Sequence, residues 1–413
     1  MINKLTNKYF LFLFCSIPLS FLLGPAISLA NIILINLSFI ILVICRGDYK
    51  FFKSEPIKYL LILYTYLIIN SFLSIDSSIN IFRNFGFIRF IILFAAVNYF
   101  FKYENFYTNV FKFWLFIILL VLSDVCIEQF TGKNILGYNY GIRFINEGQL
   151  SYGRVVSFFK DEAIVGGYLL GFYFILSGFL LNKYKNKKII IPLTIIIAIL
   201  LVIILTGERS NSIRALLGFV LFIAFFKKIN LKKKIIFIIT LMTLVSFFIS
   251  NQPYLKIRFI SNIKSIFDSH TIYFDIYKSG LQVFKNNKFF GVGNKNYRVE
   301  TCKKTNVLKA DNSENYFCQN HPHQIYIELL SEHGLIGSFL ILFILYKLVF
   351  SKIFNTFFNN NYIKIGSLIY ILTMFIPLIP TGAIFGDFLL TLLMINLSIF
   401  YALDKNMNIF VKN

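Results

Sequence analysis

Three of the four histidines in this chain fall within one run, NHPHQIYIELLSEHGLIG (residues 320–337), together with Glu328 and Glu332. Imidazole exchanges its proton nearest to neutrality, so a histidine at the mouth of an apolar segment is a candidate general base. Pro322 suits the first helical position, which makes Asn320 or His321 the expected cap and puts His323 in the first turn. Free backbone N–H groups and the positive helix end disfavour imidazolium there and keep the ring neutral, as a base requires. Glu328 and Glu332, four apart, share a helix face. For Glu332 and His333 the expectation is buried, hydrogen-bonded packing, and His321 has capping as its alternative role.

A second group of residues is cationic. Glu208 and Arg209 sit in a short turn, TGERSN (206–211), and Arg214 lies about one turn into the segment that follows. Arg258 opens a long polar stretch, and Arg154, Asp161 and Glu162 close another. Guanidinium forks onto phosphate oxygens in bidentate, charge-assisted bonds. A neutral base beside several arginines therefore fits displacement of a diphosphate by an attacking hydroxyl. Such a donor arrives activated, so no ATP and no cofactor is expected. GVG (291–293) lacks the strand–turn–helix context of a phosphate loop and reads as a turn. Asp161 and Glu162, an adjacent acidic pair, are no coordination set by themselves, and no metal site is expected.

The elements that must carry these groups are apolar. The chain is 57% hydrophobic, 18% aromatic and only 15% charged, where a soluble domain has about a quarter of its residues charged. Apolar runs at 9–23, 26–45, 57–75, 86–101, 110–127, 162–181, 189–206, 211–226, 235–250, 323–350, 364–380 and 384–403 are of spanning length. The expectation is an all-α membrane protein of about twelve transmembrane helices, a single polytopic domain over 1–413 with a retained first helix. Lysine-rich connections (RGDYKFFK, NKYKNKK, KKINLKKK) alternate with lysine-free ones (SIDSSIN, TGERSN). That alternation places both termini in the cytoplasm. The net charge of +22 is spread through these loops, with no basic stripe, so nucleic acid is not an expected partner.

Two long connections, 128–161 and 251–322, fall on the outer side, and the arginines and His321 and His323 converge on that face. In the second, Tyr273, Ile276, Tyr277, Gly280, Leu281 and Phe284 recur at helical spacing, which predicts an amphipathic helix along the interface or over a cavity. Cys302 and Cys318 share this loop, facing an oxidising compartment. A bridge between them would close about 16 residues and contribute about 3 kcal/mol on the chain-entropy account.

Four pieces carry a family likeness: RVVSFFKDEAIVGGYL (154–169), TGERSNSIRALLG (206–218), KNNKFFGVGNKNYR (285–298) and HPHQIYIELLSEHGLIG (321–337). In this order and spacing the chain resembles the O-antigen ligase and polymerase family, bacterial inner-membrane glycosyltransferases that use undecaprenyl-diphosphate-linked glycans. The resemblance implies metal-independent, inverting glycosyl transfer on the periplasmic side, with the lipid-linked glycan as donor. His323, in the place of the family's histidine–asparagine pair, is the implied base, with Gln324 for the usual asparagine. Arg209 is the implied grip on the diphosphate. Tyr273 stands where the family has a second arginine, so Arg258 or Arg214 would have to substitute. Arg154, His321, Glu208, Asp161 and Glu162 complete the expected contacts to diphosphate or glycan.

The acceptor implied is lipid A core for a ligase, or a second lipid-linked glycan for a polymerase. A flippase of lipid-linked glycans is the reading from another class. It would place ionisable groups along a central cavity near the midplane.

Overall fold

The computed structural model describes residues 4–139, 142–145, 149–152, 154–160, 162–184, 190–227, 230–261, 272–303, 316–357 and 360–411. The described chain is helical apart from one antiparallel hairpin, Ile142–Ile145 with Gln149–Tyr152, in register Ile142 to Tyr152. The hairpin lies within the loop 128–161, and the helical class expected of the chain holds. Six helices are long and apolar enough to cross a membrane, or seven if a bent pair is one span. The chain is thus a multi-pass membrane protein.

The pair Leu5–Cys15 and Ile17–Leu23 bends by 45°. Three further apolar helices, Ile190–Leu205, Tyr362–Met374 and Asp387–Ala402, are shorter than a span usually requires. The run expected over 364–380 therefore ends early, at Met374. Pro377 and Pro380 remove backbone donors from the stretch that follows, and Gly382 and Gly386 weaken helix further. Non-helical backbone packed among helices must find its hydrogen-bond partners in the protein. Thr381 N–H donates to the His323 carbonyl at 2.8 Å, and Ile384 N–H to the Glu328 carboxylate at 3.0 Å.

The bundle is centred on helix Val165–Lys183, which is buried nearly all round and packs along Tyr362–Met374. A Cβ at Gly366 would lie 2.0 Å from the Phe174 carbonyl oxygen, so only glycine lets the two backbones approach this closely. Leu231–Asn251 is the opposite case. Only Leu241 and Val245 are buried, and the helix stands off the bundle.

The amphipathic helix forms at Ile272–Asn286. Its buried face is Ile276, Ser279, Gly280 and Val283, while Leu281, expected on that face, is 43% exposed. It packs against the start of helix Ile325–Leu348. That long helix breaks at Gly334 (φ 64°, ψ −166°). The strip after the amphipathic helix docks there: Val292 and Gly293 donate N–H to the carbonyls of Ser331 and Glu332, both at 2.9 Å. Leu335 N–H in turn reaches the Lys288 carbonyl at 2.8 Å. GVG is thus a turn spliced against a helix break. The Cys302 and Cys318 sulfurs lie at bonding distance, 2.08 Å, as a disulfide.

Candidate active site

The TGERSN turn joins Ile190–Leu205 to Arg209–Phe225. The Tyr254 hydroxyl donates to the Thr206 carbonyl at 3.1 Å and Arg258 Nη2 to the Gly207 carbonyl at 3.3 Å, so the turn is clamped from the segment beyond Leu231–Asn251. The Glu208 carboxylate accepts from the Gly166 N–H at 2.6 Å and from Asn211 Nδ2 at 2.7 Å. Burial raises its pKa, and these donors oppose the rise. Glu208, expected to contact substrate, lines the cavity but is engaged in tying two helix starts together.

Arg209 is the first residue of its helix, half-buried, with free N–H groups of the first turn behind it. Arg154, Arg209, Arg214 and Arg258 line one cavity of about 740 Å³. Among the described residues none of the four makes an ion pair. Burial lowers the Arg258 pKa, Arg209 and Arg154 adding to the effect and Tyr254 opposing it, and its Nε has no partner among the described residues. Glu208, which feels the charge of Arg154, and Glu162 line the same cavity, yet four guanidinium groups outnumber them, an arrangement that an anion completes. Arg214 is different: it is buried, with Nε on the Thr373 carbonyl (3.2 Å) and Nη2 on the Ile379 carbonyl (3.1 Å). It holds the stretch after Met374 as well as lining the cavity.

His321 and His323 line the same cavity, with ring centroids 4.0 Å apart. Their setting corrects the expected helix start. The helix begins at Ile325, and Gln324 is the cap, its side chain accepting the Ile327 N–H at 2.7 Å. Pro322 and both histidines precede it, and His323 has φ 55°, a left-handed backbone unusual for a histidine. Burial, rather than the helix end, is the main cause that lowers both imidazole pKa values. His321 is driven to about 3, with His323 and Lys295 adding to the effect; His323 moves in the same direction. His321 Nε2 lies 3.3 Å from the Thr381 carbonyl, which can only accept, so a neutral His321 carries its proton there. Tyr273 lines the cavity and meets the His323 ring edge-on at 6.2 Å and 88°.

The cavity thus gathers His323, His321, Arg209, Arg258, Arg214, Arg154, Glu208 and Glu162. Asp161 lies outside the described residues. Pro380, at the end of the run expected over 364–380, and Thr381 and Gly382, in the short connection after it, supply a wall of the cavity. The paired prolines and glycines of FIPLIPTGAIFGD were the available signal.

Fold and site together define a multi-pass helical membrane protein with an imidazole pair set among guanidinium groups in one cavity. Residues 194–344 match the family model described as O-Antigen ligase. Comparison with curated proteins gives no match.

Proposed function

We propose that this protein transfers a glycan from undecaprenyl diphosphate to a sugar hydroxyl of lipid A core, on the periplasmic face of the bacterial inner membrane. The observation that carries the reading is the shared cavity: two imidazoles kept neutral by burial beside four arginines that make no ion pair among the described residues.

In this reading the unprotonated nitrogen of His323 takes the proton of the acceptor hydroxyl. The acceptor oxygen bonds to the anomeric carbon as the bond from that carbon to the diphosphate oxygen breaks. Attack from the face opposite the leaving group inverts the anomeric configuration. Undecaprenyl diphosphate departs with the electron pair, and Arg209 and Arg258 bind its developing charge, with the helix start at Arg209 adding N–H groups. Arg154 and Arg214 add positive potential, Glu162 takes glycan hydroxyls, and Tyr273 walls the imidazole. Neither a metal ion nor a cofactor enters the scheme. Both termini lie in the cytoplasm, and membrane lipid surrounds the bundle.

Purified protein given a defined undecaprenyl-diphosphate oligosaccharide and, separately, lipid A core or a second lipid-linked glycan tests the proposal. Product on lipid A core supports the ligase reaction, and product only on the lipid-linked glycan replaces it with polymerisation. Translocation of the donor across vesicles without a new glycosidic bond would replace both with transport.

A further inference from the structure

The strip 316–324, which carries both cavity histidines to the start of helix Ile325–Leu348, has no regular secondary structure. At its far end His323 has left-handed backbone, a conformation that persists only where the surroundings hold it. Thr381 N–H fixes the His323 carbonyl, and Pro322 is buried, 3.3 Å from where a Cβ of Gly280 would lie. At its near end Phe317 N–H donates to Ser279 Oγ at 2.6 Å and Thr301 Oγ1 to the Gln319 carbonyl at 3.5 Å. Tyr316 packs on a cluster of three buried residues, Val283, Val292 and Tyr297, separate from the core of the bundle. So small a core does not fix a strip of chain by packing alone. The covalent tie is Cys318, three residues before His321 and bridged to Cys302. Cys302 ends the short helix Tyr297–Thr301, which is itself anchored. The Asn296 side chain accepts the Asp76 N–H at 3.0 Å and donates to the Asp76 carbonyl at 3.1 Å, and Tyr297 N–H reaches Glu332 Oε1 at 3.4 Å.

We propose that Cys302 and Cys318 are positioning residues: their bridge holds the histidine strip in register with the cavity, so that transfer depends on the pair being oxidised. The proposal rests on the function put forward above. With the bridge closed, the strip is pinned on both sides of His321 and His323, by Cys318 before them and by the Gln324 cap after them. With the bridge open, the near end keeps two hydrogen bonds from side chains and the contact of Tyr316, and the imidazoles lose their fixed place. The cations are held otherwise. The turn that carries Arg209 is tied down through Glu208, Tyr254 and Arg258. Opening the bridge therefore acts on the base and leaves the grip on the diphosphate. Cys318 is exposed, which gives a dithiol access, and the other three of the five cysteines are free, so a dithiol acts on this bridge alone. Its reduction places two electrons and two protons on the cysteine pair and leaves the dithiol as a cyclic disulfide.

The test compares the purified protein before and after dithiothreitol with the double variant Cys302→Ser, Cys318→Ser. Reduction, verified by thiol labelling of both cysteines, should lower kcat about 100-fold with KM for the lipid-linked donor unchanged, and reoxidation should restore it. The double variant should be as slow as the reduced parent and indifferent to dithiothreitol. Unchanged kcat in the reduced parent, a rise in KM in place of the fall in kcat, or an equal loss when the double variant meets dithiothreitol would each overturn the tether. Should the double variant fail to fold, the reduced parent decides. Amide exchange judges the tether without turnover: on reduction, exchange in a peptide covering 316–327 should rise about tenfold or more, while that of Val165–Lys183 stays as it was. Unchanged exchange over 316–327 would overturn the tether. Exchange that rises in a protein unable to transfer glycan would remove only the proposed reaction.

Discussion

His323 and His333 lie on one stretch of chain, ten residues apart, and their surroundings are opposite in kind. His323 faces a cavity shared with arginines, on strained backbone, with an aromatic edge against its ring. His333 is wholly buried at the helix break, its Nδ1 3.2 Å from the Tyr66 hydroxyl and its ring beside Phe385. Its neighbour Glu332 takes the Tyr297 N–H at 3.4 Å. Burial alone therefore does not mark a chemical site, because both rings are held out of water. Access to a cavity and a nearby counter-charge for an anion distinguish the first setting. The second closes polar backbone where a helix stops being regular.

The comparison breaks most easily at His323. Replacement by alanine should lower transfer about 10³-fold while the protein still inserts, read as product formed per membrane-extracted molecule; undiminished transfer would move the chemistry elsewhere. Arg209→Lys comes next, with a loss of roughly 10², because a point charge cannot fork onto a diphosphate. Full activity in that variant would argue against the grip.

At the break the expected loss is of stability instead. A Cβ at Gly334 would lie 2.3 Å from the Phe289 carbonyl oxygen on backbone that already has positive φ, so Gly334→Ala should cost about 1–3 kcal/mol. Thermal unfolding in detergent would show it as a lower midpoint, with the acid limb of the rate unmoved.

Acidity sharpens the contrast further. Burial lowers the His323 pKa, so the ring stays neutral below the ordinary 6.5 and the rate should fall only as pH drops through that depressed value. An acid limb above 6.5 would contradict the assignment. Stability runs the same way for His321: the unfolded chain takes up its proton near 6.5 and the folded chain only near 3. That contribution is complete above 6.5 and is lost as pH falls toward 3. The smallest signal is a null one. Thiol labelling of denatured protein without reductant should leave Cys302 and Cys318 unmodified, and modification of both would refute the bridge.

Much of this was legible from residue order, because hydrophobic run length, lysine placement and the grouping of Arg and His are local properties. The runs at 26–45 and 110–127 fall within Pro25–Arg46 and Glu104–Thr131. The arginines and histidines expected on one face do meet in one cavity. What escaped depends on long-range partners. Pro322 reads as a helix start in isolation, yet Gln324 wins the cap because its side chain reaches the Ile327 N–H. Glu208 reads as a ligand until the Gly166 N–H is placed against it. Residues 375–380 and 384–386 read as the facing ends of two apolar spans, and only the donors and acceptors of His321, His323, Arg214 and Glu328 convert the stretch into a wall. The hairpin at 142–152 had no alternation strong enough to announce it.

The stretch beyond Met374 also bears on how modules of this kind can be exchanged. The matched region, 194–344, contains Arg209, Arg258 and His323 but stops short of Thr381, and it begins after Arg154. A chimera swapping only that region between two homologues would seat its imidazoles against a foreign backbone carbonyl and lose register with the partner cation. Recombination boundaries drawn ahead of Arg154 and past Asp387 would carry the whole pocket as a unit.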